Sequence, residues 1–104
     1  MEDEFSLIQL RKRLGLVQAD MARRMGMSLR PYQELETNLR RTRRRHVRLA
    51  ELVALDVAVE KEDPDLAPAS IRDKAIEFVR LILRENIRRK RSKLVEMLLV
   101  IDKD

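Results

Sequence analysis

The stretch QADMARRMGMS, residues 18 to 28, decides how this chain folds. A helical pattern runs to Met25, Gly26 accepts the positive φ that ends a helix, and Ser28 is suited to begin another. The small Ala22, four residues before Gly26, lets two helices cross closely. The stretch therefore predicts two short helices, over about residues 18–25 and 28–37, that meet at a tight corner.

Composition limits the size and class of the protein. The 104 residues correspond to one domain, or to one small domain with an extension. Cysteine is absent, which excludes disulfides, thiolate metal sites and thiol catalysis. The chain contains neither paired catalytic carboxylates, nor a Ser-His-Asp set, nor a glycine-rich phosphate loop. The single histidine, His46, is interpreted as a surface or helix-start residue. We expect no enzyme activity, no cofactor and no metal.

Charge is unevenly distributed along the chain. The 23 Lys and Arg against 18 Asp and Glu give a net charge of +5. Basic residues concentrate in residues 40–48 and 84–93, and acidic residues in 2–4 and 60–65. Such segregation suits an anionic partner, nucleic acid above all. Aromatic residues amount to one Tyr and two Phe, which disfavours modules that bind single strands by stacking.

Apolar periodicity predicts helices along the whole chain, so we expect an all-α protein. A first helix over residues 5–14 should turn Phe5, Ile8 and Leu14 inward, with Asp3 or Ser6 as its cap. The third helix and a fourth over about residues 44–59 should contribute further inward side chains: Tyr32, Leu35, Leu39, Val47, Ala50, Ala54 and Val57.

Two prolines within an acidic segment mark a boundary. Pro64 and Pro68 cannot continue a helix there. We therefore predict a domain over residues 1–63, a linker over 64–70 and a helical extension over 71–104. As one unbroken helix from Ile71 to Ile101 it would be about 45 Å long. A globule of about 60 residues cannot bury such a rod, so we expect a partner or a bend. The sequence does not decide whether residues 71–104 form one helix or two.

Residues 10–36 resemble the helix-turn-helix domain of Cro and the phage repressors, the Xre family, and the similarity extends more loosely over residues 5–60. The family pattern is an arginine in the first helix, then G-L-(S/T)-Q-x-x-(L)-A, then G-(V)-S, and a glutamate that ends the recognition helix. In this chain the pattern falls on Arg11, Gly15, Leu16, Gln18, Met21, Ala22, Gly26, Ser28 and Glu36. The resemblance implies a lambda-repressor-like bundle of about four helices, here followed by a long C-terminal helix.

The resemblance also implies roles for individual residues. Arg11 and Glu36 would form a structural ion pair. The outer side of the third helix would enter the major groove and read bases through Leu29, Arg30, Gln33 and Glu34. Phosphate contacts would come from Gln18, Ser28, Asn38, Arg40, Arg41, Arg43 and Arg44.

Three departures from the family pattern bear on this interpretation. Val17 stands where a capping Ser or Thr is usual, which costs about 1 kcal/mol of helix stability. Thr37 and Asn38 stand near a usual glycine, and Leu29 and Pro31 are unusual at a DNA surface. Leu29 and Pro31 would contact a thymine methyl group, or the domain has drifted from sequence-specific binding.

The C-terminal run LVEMLLVI, residues 94–101, is apolar nearly all round and needs burial. Residues 84–93 are either a charged helix face or a second DNA contact, and we favour the former. We expect an oligomer interface, a homodimer first of all, at Ile71, Phe78, Ile82, Leu94, Leu98 and Ile101.

These features together predict a sequence-specific transcriptional regulator in the cytoplasm of a bacterium, or from a phage, associated with the nucleoid and with no membrane segment. A dimer would place its third helices in successive major grooves of double-stranded DNA, about 34 Å apart. One alternative is an antitoxin-like or adaptor protein whose C-terminal helix binds another protein, with DNA binding secondary. Another is double-stranded RNA or nonspecific nucleoid binding.

Overall fold

The computed structural model describes the backbone of residues 5–103 and the side chains of residues 5–100. This part of the chain is helical and contains no strand, which confirms the all-α class. The helices are α1 (Leu7–Leu14), α2 (Gln18–Arg24), α3 (Leu29–Glu36), α4 (Arg44–Glu60) and α5 (Ala69–Lys103), with a short 3-10 helix at Pro64–Leu66.

Helix α1 ends at the predicted residue, Leu14, and begins at Leu7, two residues after the predicted start. The Ser6 hydroxyl accepts a hydrogen bond from the Gln9 backbone N–H at 3.2 Å, which satisfies one free donor of the first turn. Gly15 ends the helix with φ at 73°, and its N–H bonds to the carbonyls of Arg11 and Lys12. The alternative cap, Asp3, lies outside the described residues.

The buried face of α1 differs from the predicted one. Leu7, Leu10 and Leu14 are buried, whereas Ile8 is half-buried and Phe5 is 38% exposed. Because the helix begins after Ser6, Phe5 precedes its first turn, and the inward stripe follows the i, i+3, i+7 spacing from Leu7. The prediction was right for Leu14 and wrong for Phe5.

A corner of two short helices follows. Helix α2 ends at Arg24, and the Met27 N–H bonds to the Ala22 carbonyl at 2.8 Å. Gly26 has φ at 75°, and a Cβ added there would meet nothing within 4 Å. Glycine is therefore required at this position for its backbone conformation and not for space. Ala22 is buried, and α2 and α3 are in contact.

The core lies among α1 to α4. Full burial of one large apolar side chain stabilises a fold by about 1.5–3 kcal/mol, so the few large side chains that are fully buried contribute most to the stability of this core. The prediction for Leu39 was wrong: α3 ends at Glu36, the chain reverses at Asn38, and Leu39 is left 81% exposed. The largest fully buried side chains are Tyr32, Leu14, Met21, Leu35 and Val57.

The segment after α4, predicted as a linker over residues 64–70, contains a capped 3-10 helix. The Asp63 carboxylate accepts a hydrogen bond from the Asp65 N–H and caps the 3-10 helix, and Ala67 is buried. Two compact units divide the chain, Met1–Arg72 and Asp73–Asp104. The second unit is helical from its first residue to Lys103, so the extension is one helix. Over the described residues, no helix has the length and apolarity needed to cross a membrane.

Candidate functional site

Glu36, the last residue of α3, is the centre of a buried polar network. Its side chain is 3% exposed, and it accepts hydrogen bonds from Arg11 Nε at 2.7 Å and from Arg11 Nη2 at 3.3 Å. Arg11 Nη1 also donates to the Leu16 carbonyl. A two-nitrogen contact of this kind fixes orientation as well as charge. The structure thus brings together the ion pair that the family resemblance implies.

Two further donors complete what we term the Glu36 network, formed by Arg11, Gln18, Tyr32 and Glu36. The Tyr32 hydroxyl donates to Oε2, and Gln18 Nε2 donates to Oε1 at 2.8 Å. Burial acts to raise the pKa of Glu36, but the hydrogen bonds outweigh it and hold the pKa below its usual value. Burial, reinforced by the neighbouring carboxylate, raises the pKa of Tyr32. An ionised Glu36 therefore links α1, α2 and α3.

The opposite side of α3 is uncovered. Leu29, Arg30, Gln33 and Thr37 form what we term the α3 outer face, and all four residues are exposed. Arg30, the one charged member of this face, has a side chain that is 91% exposed. The spacing i, i+1, i+4, i+8 places these residues on one side of a helix, away from the buried side chains. Three of the predicted base-reading residues thus lie together on this face.

Gln33 and Gln18 are joined, although the sequence assigns them different roles. Gln33 Nε2 donates to Gln18 Oε1 at 3.1 Å, and Gln18 in turn donates to Glu36. This chain of bonds orients the Gln33 amide from within the fold. Its carbonyl oxygen and second N–H have no partner among the described residues and can form a paired contact with a ligand.

Glu34 and Arg40 are also paired with each other. Arg40 Nη2 and Nε donate to Glu34 Oε1 at 2.9 and 3.2 Å, and Arg30 Nε lies 3.9 Å from the other carboxylate oxygen. The sequence predicts base reading for Glu34 and phosphate contact for Arg40. In the structure the Glu34 carboxylate partly neutralises the positive charge of Arg30 and Arg40. The two arginines in turn reduce the repulsion between this carboxylate and an approaching anion.

The α3–α4 turn depends on an unusual backbone at Asn38. Its φ is 65°, a left-handed conformation in which asparagine is favoured among the non-glycine residues. The Arg40 N–H then bonds to the Glu34 carbonyl at 3.1 Å, which brings the arginine back alongside α3. Asn38 thus supplies the conformation of the usual glycine, and its side chain is exposed.

An arginine cluster follows this turn. Six arginines and no acidic residue occupy residues 37–50. Within the described part of the chain, no carboxylate forms an ion pair with Arg41, Arg43 or Arg44, and all three are exposed. The start of α4 adds the partial positive charge of its free backbone N–H groups. We term Arg41, Arg43 and Arg44 the open arginines.

His46 lies beneath these arginines and is buried. Its Nδ1 accepts a hydrogen bond from the Arg43 backbone N–H at 2.9 Å, at the start of α4. Burial, and then the nearby charges of Arg45 and Arg40, lower the pKa of His46, which favours the neutral ring. The helix-start interpretation is confirmed and the surface interpretation is wrong. The signal in the sequence was its place three residues after the cap position of α4, Arg43.

Ser28 is placed at the start of α3 but does not cap it. Its hydroxyl makes no capping hydrogen bond, and the residue is exposed. Val17 likewise leaves the start of α2 without a side-chain cap. Free backbone donors therefore remain at the first turn of α2, which begins at Gln18, and at the first turn of α3.

Comparisons with protein-family models, with curated proteins and with solved structures find no match to this chain. What the chain does is therefore inferred from its own residues. Among the described residues, no group of three or more His, Asp and Glu side chains could hold a metal ion.

The predicted interface residues of α5 lie in a helix whose apolar side chains are largely exposed. Ile71 is half-buried in the first unit, and the side chain of Ile101 lies outside the described ones. The other four are exposed in the second unit: Phe78, Ile82, Leu94 and Leu98.

Proposed function

We propose that this chain is a DNA-binding transcriptional regulator of the helix-turn-helix type, in which α3 enters the major groove. The observation that carries the proposal is the pairing of an uncovered α3 outer face with the open arginines beyond the α3–α4 turn. A major groove about 12 Å wide admits one helix. The Glu36 network would hold that helix from behind.

The α3 outer face has the chemistry for reading bases. A guanidinium such as that of Arg30 matches O6 and N7 of guanine, and an amide such as that of Gln33 matches N6 and N7 of adenine. Each paired contact of this kind discriminates by about 1–3 kcal/mol. An apolar side chain such as that of Leu29 can contact a thymine methyl group. Because Glu34 is paired with Arg40, we assign it to orienting that arginine before any contact with a base.

The open arginines have the chemistry for phosphate. Arginine forms a two-pronged contact with phosphate, and these side chains need not leave an ion pair before they bind. Arg40, Gln18 and Ser28 are candidates for further phosphate contacts at the flanks. Such contacts supply affinity and fix the position of the protein on the duplex, while the α3 outer face supplies sequence preference.

A salt titration tests the phosphate role. The full chain is titrated onto a random-sequence duplex at several salt concentrations, beside the variant R41Q/R44Q. Each lost phosphate contact reduces the slope of log affinity against log salt by about 0.9, so we expect a reduction of about 2. An unchanged slope would refute the role assigned to the open arginines.

The matched control is R13Q/R23Q, which removes the same charge at the other end of the domain. Arg13 contacts the Asp65 carbonyl, beyond the end of α4. Arg23 pairs with the half-buried Asp20, and its neighbour Arg24 pairs with Glu60, the last residue of α4. This variant should keep the wild-type slope. Equal losses in both variants would indicate a response to net charge alone.

We further propose that α5 associates two copies into a dimer. The exposed apolar side chains of its second unit include Phe78, Ile82 and Leu98, and such surface is costly to leave in water. The same exposure supports the second candidate function, an adaptor or antitoxin-like protein that binds a different protein through α5. Sedimentation distinguishes them: a discrete homodimer supports the first, and a monomer or an aggregate that a co-expressed partner resolves supports the second.

A further inference from the structure

Four arginines form a line along the second unit. Arg80, Arg84, Arg88 and Arg91 follow the spacing i, i+4, i+8, i+11 within α5. With about 3.6 residues per turn and a rise of about 1.5 Å per residue, they occupy a sector of about 80° and a length of about 16 Å. We term them the arginine stripe. Leu83 and Ile87 line the same shallow groove.

Most of this positive charge is uncompensated. Arg88 pairs with Glu85 at 2.7 Å. The other three members form no ion pair with any described residue, and all four are exposed. The nearest acidic residue on the N-terminal side, Glu77, pairs with Lys74. Residues 84–93 hold six basic residues and one acidic residue. A field of this strength attracts anions over a distance of about 10 Å at ordinary salt.

The geometry fits a regularly charged polymer. B-form DNA carries one negative charge per about 1.7 Å of its axis, so a stripe of about 16 Å faces about five phosphates on each strand. All four members are arginine and none is lysine, and the guanidinium group makes the two-pronged contact with phosphate.

The same stretch is poorly suited to a lipid surface. A helix that lies on a membrane buries an apolar side opposite its basic side. Here the apolar side opposite the N-terminal half of the stripe, at Phe78, Val79 and Ile82, does not continue. Opposite the C-terminal half, the helix carries Arg89, Lys90 and Lys93, so no apolar side runs along the whole stripe to enter the bilayer.

We propose that the arginine stripe is a second DNA-binding site, which contacts the phosphate backbone of a duplex without regard to sequence. The inference rests on the proposed function, because it takes the same duplex as the ligand of both units. It replaces the interpretation of residues 84–93 as a solvated helix face. A second contact on one chain raises the affinity of the whole protein through effective concentration.

The test compares two triple variants of the full chain with the same charge change. R80Q/R84Q/R91Q removes the stripe, and R89Q/K90Q/K93Q removes three charges from the other sides of the same helix. Glutamine is a good helix former, so α5 should persist in both, as far-ultraviolet circular dichroism can verify. Both are titrated onto a random-sequence duplex across salt concentrations, and onto vesicles of phosphatidylcholine and phosphatidylserine.

We expect the stripe variant to bind the duplex at least about tenfold more weakly and to lose about 2 to 3 from its salt slope. The control variant should lose less than half as much of the slope. Equal losses in the two variants overturn the stripe, because they indicate a diffuse charge effect. Loss of vesicle binding with full duplex binding also overturns it and indicates a lipid ligand.

Parallel titration of R41Q/R44Q separates the two proposals. A wild-type chain that does not bind duplex overturns both. Weaker binding by R41Q/R44Q with an unaffected stripe variant overturns the stripe alone. Weaker binding by the stripe variant with an unaffected R41Q/R44Q supports the stripe and overturns the phosphate role assigned to the first unit.

Discussion

Replacing Glu36 by glutamine removes the charge at the centre of the Glu36 network and keeps the shape of the side chain. Arg11 then keeps a positive charge that is only 14% exposed and has lost its anionic partner. Breaking a buried ion pair in this way costs about 3–5 kcal/mol. The remaining access of Arg11 to water places the expected loss near the lower end, at about 3 kcal/mol. The total free energy of unfolding of a protein of this size is about 5–15 kcal/mol.

Urea unfolding followed by tyrosine fluorescence measures this loss. Tyr32 is the only tyrosine and the chain has no tryptophan, so the signal reports the core of the first unit and not α5. The matched control is Glu34→Gln on the same helix. Its side chain is 30% exposed and pairs with Arg40, so we expect a loss of about 1 kcal/mol or less.

The loss should depend on pH in a defined direction. Because folding lowers the pKa of Glu36, its contribution to stability is present above the unfolded value of 4.5. That contribution falls as the pH drops below 4.5 toward the folded pKa. The gap in unfolding free energy between wild type and Glu36→Gln should therefore narrow on acidification. A loss below about 1 kcal/mol at neutral pH, or a gap that stays constant, would refute the reasoning.

Three other perturbations have definite outcomes. Asn38→Ala should lower the unfolding free energy by about 1 kcal/mol and Asn38→Gly should not, because φ there is 65°; equal urea midpoints would contradict this. Wild type should lose stability as the pH falls through 6.5, since burial lowers the pKa of His46, and His46→Gln should flatten that part of the pH profile; parallel profiles would exclude the histidine. Salt should strengthen the self-association of α5 in sedimentation experiments, because it screens the repulsion between the basic residues 84–93 of two copies. These residues lie midway between the apolar segments of α5, so they would face their copies in a parallel in-register pair or a fully overlapping antiparallel pair. Weaker association at high salt would indicate another pairing.

Local chemistry made the corner and the helix ends predictable. Gly15 and Gly26 both have positive φ, and the predicted ends of α2 and α4 lie within about one residue of those in the structure. The partners Arg11 and Glu36 were reached through a resemblance and not through geometry, since 25 residues separate them.

Features that depend on the exact register were not predictable. Phe5 fits the apolar period as well as Leu7 does, and only the position of the Ser6 cap decides between them. Leu39 extends the period of α3, but the left-handed backbone at Asn38 breaks the helix before it. The same turn creates the Glu34–Arg40 pair, which no local pattern reveals.

Selection of bound fragments from a random duplex pool tests most directly whether α3 reads bases. The full wild-type chain should enrich a defined motif, and the variants R30A and Q33A should each relax preference at a different position within it while the rest of the motif is retained. Recovery of the wild-type motif unchanged by both variants, or of no motif by the wild-type chain, would contradict the role assigned to the α3 outer face.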